Sequence, residues 1–200
     1  MSYEIASGSL LGRSIAKSAA PGAMRVALVA LSVALTAAAA QVTFPVPFTT
    51  VPFVLTPLVV LLTGAALGSR LGFLTQVLYL MAGAAGLEVF APSLTLPPGL
   101  ARLVGPTAGY LWAYPIAAYV TGRLAERGWD RRYVTSAVAM MLGLALIFAG
   151  GVSWLAIGFT HSLPLALASG VGPFIVADII KVLVAAMILP QTWRVVGNRL

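Results

Sequence analysis

An all-α membrane protein built from six transmembrane helices is the fold that this sequence predicts. Three observations predict it. Hydrophobic residues make up 60% of the 200 residues and charged residues only 8%. The mean hydropathy is +1.00. A water-soluble domain carries roughly a quarter of its residues as charges, so this chain cannot cover its own surface in water. Disordered chains are poor in apolar residues, which excludes that class as well. A membrane-crossing helix takes about 20 apolar residues, so the length accommodates about six. The third observation is the placement of the twelve basic residues, which depends on the order of the elements.

Residues 1–24 read as a polar, weakly basic tail carrying Arg13 and Lys17. The first apolar run spans about residues 25–42. Its alanine-rich end before Gln41 is similar to a signal-peptidase site, but the run is longer than a signal core, so it reads as helix one. Pro45, Pro47 and Pro52 then break the chain, because proline lacks a donor and disfavours helix before it. Helix two runs over about residues 50–67, Gly68-Ser69-Arg70 makes a tight turn, and helix three covers about 71–87. Residues 88–104 hold Pro92, Pro97, Pro98 and Gly99 and read as a loop or re-entrant segment. Helix four spans about 105–124, with Pro106 suited to its first turn. Glu126, Arg127, Asp130, Arg131 and Arg132 read as a water-exposed loop. Helix five covers about 134–157, and residues 158–172 are a second long loop with room for a short surface helix. Helix six covers about 173–189 and ends at Pro190. A membrane domain over residues 25–192 thus lies between two tails, the second (193–200) carrying Arg194 and Arg199.

Six helices place both termini on one side. Ten of the twelve basic residues then sort to that side, leaving Arg102 alone opposite and Lys181 inside helix six. Positive charge is retained in the cytoplasm, so both termini are expected there, with the chain in the cell membrane. Five or seven helices would scramble the sorting. Trp129 and Trp193 fall near the cytoplasmic interface and Trp154 near the outer one, as an aromatic belt requires.

Composition and motifs exclude several classes. The net charge of +7 has no soluble face on which to form a nucleic-acid patch. Cysteine is absent, and one histidine with five acids is too little for most metal cages. No phosphate-binding Gly-x-x-x-x-Gly-Lys-Ser/Thr run exists, since Lys17 follows Ala16 and Lys181 follows Ile180. Active transport by this chain must therefore draw on another protein or an ion gradient.

Asp178 and Lys181 are the residues that most invite chemistry. They are the charges well inside an otherwise apolar helix, and a spacing of three puts them on one face. Each costs roughly 2.5–3.5 kcal/mol at a helix centre, so they read either as a neutralising pair that only holds the helix or as a site. They lie roughly 8–12 Å past Pro173 at 1.5 Å per residue, in the outer half of the membrane. Arg102 offers a planar fork of donors for a carboxylate, or else snorkels to lipid head groups. Ala30, Ala34 and Ala38 recur every four residues with Ala23 and Ala27 beyond them, and Gly64, Gly68 and Gly72 form a second small-residue series. Both permit close helix packing in lipid. His161 stands alone in a loop and reads as surface, and Glu88 ends helix three, where it either faces the ligand space or is solvated at the interface.

Five stretches occur in a telling order: Pro45-Val46-Pro47-Phe48-Thr49-Thr50-Val51-Pro52; Leu61-Leu62-Thr63-Gly64-Ala65-Ala66-Leu67-Gly68-Ser69-Arg70-Leu71-Gly72; Tyr79-Leu80-Met81-Ala82-Gly83-Ala84-Ala85-Gly86-Leu87-Glu88-Val89-Phe90; Gly105-Pro106-Thr107-Ala108-Gly109-Tyr110-Leu111; and Pro173-Phe174 with Asp178 and Lys181. Across about residues 25–190 the chain resembles BioY, the biotin-specific S-component of energy-coupling-factor (ECF) vitamin transporters. The resemblance implies a six-helix protein that captures biotin from outside, with biotin as transported ligand and no cofactor. It implies as partners a transmembrane coupling subunit, against which Ala30, Ala34 and Ala38 pack, and paired ATPase subunits. It places Asp178, Lys181 and, through the outer loop, Arg102 at the vitamin. Asp178 then accepts from ring N–H groups, Lys181 donates to a carbonyl or carboxylate, and Arg102 holds the valerate carboxylate. Phe90, Tyr79 and Tyr110 wrap the apolar ring and tail, since ligand sites are mostly apolar. Thr56 joins them where many relatives carry glutamine, and Glu88 stands where proline is common. An intramembrane enzyme with Asp178 as acid or base is a second reading, against which the lack of a second carboxylate, nucleophile or metal set counts, and a scaffold held by the Asp178–Lys181 pair is a third.

Overall fold

Apolar runs punctuated by proline and glycine leave the backbone one way to satisfy itself in lipid, the helix. The computed structural model, which describes residues 8–16, 18–44, 46, 49–93 and 96–196, is accordingly helical. In chain order the helices are α1 (Leu10–Ala16), α2 (Pro21–Gln41), α3 (Thr56–Leu67), α4 (Ser69–Ala84), α5 (Ala108–Glu126), α6 (Tyr133–Leu155), α7 (Leu163–Gly170) and α8 (Ile175–Val196). A two-residue hairpin, β1 (Thr43–Phe44) with β2 (Phe53–Val54), links α2 to α3, pairing Thr43 with Val54 and Phe44 with Phe53. Lys17, Pro45, Pro47 and Arg199 lie outside the described residues.

The six expected long helices are α2, α3, α4, α5, α6 and α8. Among the described residues α2, α6 with its π-helical extension to Thr160, and α8 are long and apolar enough to cross a membrane, and α3 is a shorter apolar helix. Large apolar side chains such as Val26, Leu31, Ile116, Val138, Leu183 and Met187 stand exposed on the outer faces, a surface suited to lipid rather than water. At the centre α5 packs against α3, α4 and α6. Small residues permit that closeness. A Cβ on Gly64 would sit 2.5 Å from the Ala118 carbonyl, and one on Gly122 would sit 2.6 Å from Ser69 N and 2.7 Å from Gly64 O. Gly72 lies over Gly64, so the glycine series continues across the turn between α3 and α4 rather than being ended by it.

Four local readings change. Residues 10–16, expected within a polar tail, form a helix whose Leu10 and Ile15 are buried. Its apolar side packs on α2 and α3. Helix two begins only at Thr56, because the proline-flanked stretch before it pairs as the hairpin. Pro190 does not end α8, which continues to Val196. Proline inside a membrane helix is tolerated where neighbouring groups re-satisfy the freed carbonyl, and Pro115 sits within α5 in the same way. Finally, the loop after α5 is not simply exposed to water. Glu126 accepts from the Ser69 N–H at 2.8 Å and from Ser69 Oγ at 2.9 Å, so the carboxylate of one helix end meets the N-terminus of α4. Negative charge is favourable there. Asp130 is buried and accepts from Trp193 Nε1 at 2.6 Å, and Trp193 is flanked by the guanidinium groups of Arg13 and Arg131, each 5.0 Å from its ring. Burial pushes the Asp130 carboxyl pKa up, with the Trp193 hydrogen bond pulling against it. Arg13, Arg70, Arg123, Arg131 and Arg194 gather at this end of the bundle, at the ends of α1, α4, α5, the following turn and α8. The hairpin, the 88–107 loop and α7 occupy the other end.

Candidate ligand-binding site

At the end opposite the basic residues the helices part, and a cavity opens between α3, α4, α5 and α8 beneath the hairpin and the 88–107 loop. Its position follows from local sequence. Pro52 before β2 and Pro57 in the first turn of α3 line it, and Gly99 (φ 97) starts a 3-10 turn over Leu100–Leu103 that brings Arg102 to the wall. Only glycine takes that backbone shape without strain.

The wall is mainly aromatic and apolar: Tyr79 from α4, Phe90 from the loop, Tyr110, Leu111 and Tyr114 from α5, and Phe174 before α8. The rings are fixed rather than loose. Tyr79 and Phe90 meet edge to face at 5.3 Å, and Phe90 rests on the bare backbone of Gly83. Tyr110 donates its hydroxyl to the Gly170 carbonyl at 2.8 Å while its ring lies on Gly151. A side chain at Gly83 or Gly151 would occupy the space of the ring. Thr56 lies on the wall, 2% exposed.

Two charged residues reach this apolar wall. Asp178 lines it at 6% exposure. Its Oδ1 accepts from Lys181 Nζ at 2.7 Å. Arg102, 7% exposed, lines the same cavity at its loop side and donates through Nη2 to the Ala91 carbonyl. Burial draws its pKa down, yet a guanidinium stays protonated in proteins. The cavity therefore presents one buried carboxylate in the first turn of α8 and one cation near the loop, with rings between. That suits a small molecule with N–H donors at one end, an apolar body and an anionic tail; among the described residues the lining includes no cysteine, histidine or second carboxylate.

Of the residues singled out from sequence, Asp178, Arg102, Tyr110, Phe90, Tyr79 and Thr56 converge here. Lys181 does not line the wall. One turn along α8, its Nζ donates to the Val54 carbonyl of β2 at 2.9 Å and lies 3.5 Å from the centre of the Phe53 ring. It neutralises Asp178 from behind and ties the hairpin to α8. Tyr114 and Phe174 were not foreseen as wall residues, although Tyr114 stands four residues after Tyr110 and shares its helix face. Ala30, Ala34 and Ala38 are remote from the cavity and all exposed on the outer face of α2, while Val29, Ser32 and Thr36 face inward. His161 is exposed in the turn after α6, and Glu88 is exposed on the loop.

A family model described as the BioY family matches residues 13–198. The chain belongs to the BioY family. A Pyrococcus horikoshii protein named "Probable biotin transporter BioY" is 42% identical over 178 residues, covering 88% of this chain and 98% of that protein. A Thermotoga maritima protein named "Biotin transporter BioY" is 40% identical over 147 residues, 72% of this chain and 81% of that protein. Among solved structures, the S-component for biotin from an ECF-type ABC transporter superposes with a TM-score of 0.77 at 20% identity, covering 88% of this chain and 94% of that one. That likeness establishes the fold, an all-α membrane architecture. The chain is a membrane protein of a family named for transport, not an enzyme.

Proposed function

We propose that this BioY-family chain is the substrate-capturing subunit of an ECF-type biotin transporter, and that the cavity is where biotin binds. The observation that carries this reading is the buried Asp178 carboxylate on an aromatic wall with Arg102 at the loop side. The ureido ring of biotin offers N–H donors to Asp178, the fused rings fill the space among Tyr79, Phe90, Tyr110 and Tyr114, and the valerate carboxylate meets Arg102. Lys181 supports this from behind by holding Asp178 and the hairpin in register. Titration of the purified protein with biotin in detergent is expected to saturate at one molecule per chain. No saturable binding would overturn the reading.

The chain has no phosphate-binding loop, so uptake requires ATPase subunits and a membrane subunit that couples them to this one. The exposed alanine face of α2 is the surface proposed for that contact, because small side chains let two helices approach closely in lipid. Ala34→Trp is expected to weaken assembly with the coupling subunit at least tenfold, the size of about 1.4 kcal/mol, with biotin binding by the isolated chain retained. Co-purification of the coupling subunit with the variant at wild-type yield would remove α2 from the seam.

The basic end faces the cytoplasm of the cell membrane in this reading, and the cavity opens outward. A reporter fused after Leu200 is expected to be active only as a cytoplasmic fusion. Activity outside the cell would invert the topology.

A further inference from the structure

Residues 88–91 connect the end of α4 to the outer loop and carry Phe90 into the cavity wall. They belong to no helix or strand, yet their four consecutive carbonyls are all held, and by side chains. Gln41 Nε2 donates to Glu88 O at 3.0 Å and to Phe90 O at 3.2 Å. The Tyr79 hydroxyl donates to Val89 O at 3.1 Å. Arg102 donates to Ala91 O. The donors come from three places: the last residue of α2, the middle of α4, and the 3-10 turn. A primary amide has two N–H groups, and Gln41 commits both to this strap.

These partners differ in what a ligand does to them. Arg102 is the cation that an anionic tail in the cavity recruits, and a charge-assisted bond to a carboxylate is stronger than one to a neutral carbonyl. Occupancy therefore sets the anionic tail in competition with Ala91 O for the guanidinium. Tyr79 and Gln41 are left to position the strap, and Phe90 must settle against the ligand at the same time. Gln41 links the strap by hydrogen bonds to α2, the helix that bears the exposed alanine face.

We infer that Gln41 is a positioning residue that transmits occupancy of the cavity, through the 88–91 strap, to the orientation of α2. This rests on the reading of the cavity as a biotin site and of α2 as the coupling face. It adds a route by which a coupling subunit distinguishes loaded from empty protein. Linkage requires the reverse as well: a partner that prefers the loaded position of α2 tightens biotin binding by the same factor.

The chain has no cysteine, so labels can be placed without prior substitution. Spin labels at Leu35→Cys on α2 and Ile116→Cys on α5, both exposed, report the distance between the two helices by pulsed electron resonance. Saturating biotin is expected to shift that distance by about 2 Å, the scale of helix shifts in switching proteins. Gln41→Met keeps the side-chain length and removes the donors. It is expected to abolish the shift while biotin affinity stays within about threefold, under 1 kcal/mol. Gln41→Lys, which restores a donor at similar reach, is expected to recover the shift.

Three results would overturn the inference while leaving biotin capture intact: no shift in the labelled parent at saturation, an equal shift in Gln41→Met, or a shift missing equally from Gln41→Lys. A tenfold loss of biotin affinity in Gln41→Met would also overturn it, because Gln41 would then shape the cavity rather than report on it. Failure of the labelled parent to bind biotin at all would instead sink the proposed function, and the inference with it.

Discussion

Asp178→Asn is expected to lose biotin affinity by about a hundredfold, since hydrogen bonds to a charged acceptor contribute roughly 1.5–3 kcal/mol. Asparagine keeps the volume and one acceptor oxygen, but replaces the other with a donor facing the ureido N–H groups. It also leaves Lys181 without its counter-charge. Removing one partner from a buried pair costs about 3–5 kcal/mol, so the variant is expected to melt at lower temperature as well. Lys181→Met should show the same loss of stability, and through release of Val54 O it should loosen the hairpin over the cavity. Calorimetric titration beside thermal unfolding separates the two effects. Undiminished affinity in Asp178→Asn would remove the carboxylate from the binding site.

The second large effect concerns the bundle. Gly122→Val is expected to prevent assembly of α3, α4 and α5. Its Cβ alone would lie within 2.7 Å of backbone atoms of Gly64, Gly68 and Ser69, and backbone cannot step aside as a flexible side chain does. Overpacking typically costs about 1–3 kcal/mol and sometimes more, and here a junction of three helices must open. Loss of monodisperse protein after detergent extraction checks this. A variant with wild-type yield and melting temperature would show that the contact is looser than it stands.

The helices were legible because lipid imposes a simple rule, an apolar run bounded by glycine, proline or charge. Where that rule misled, partners distant in sequence had changed the outcome. Pro190 reads as a stop because a lone helix cannot absorb it, yet α8 continues past it, bringing Trp193 to Asp130 and the two flanking arginines. Glu126 reads as a solvated charge, and Arg123 one turn earlier does pair with it, but Ser69 on the neighbouring helix also donates to its carboxylate. The cavity followed the same pattern. Asp178 stood out as a charge in an apolar helix, and Arg102 as an isolated cation in a loop rich in glycine and proline. Tyr114 and Phe174 did not stand out, because an aromatic residue in or beside a membrane helix carries no mark of whether it faces lipid or a cavity. Lys181 shares the helix with Asp178, and its spacing placed it correctly beside the carboxylate. That it turns toward β2 depends on a hairpin formed by residues more than a hundred positions earlier.

The central claim is that Asp178 binds ligand rather than only pinning α8. The Asp178→Asn, Lys181→Met double variant tests it most directly, because removing both charges also removes the penalty of an unpaired one. Biotin is titrated into this variant and the parent side by side, with folding verified by thermal unfolding. The account predicts a stably folded variant whose affinity remains about a hundredfold weaker, with the charged acceptor gone. Parental affinity in the folded double variant would contradict it and return the pair to a purely structural role.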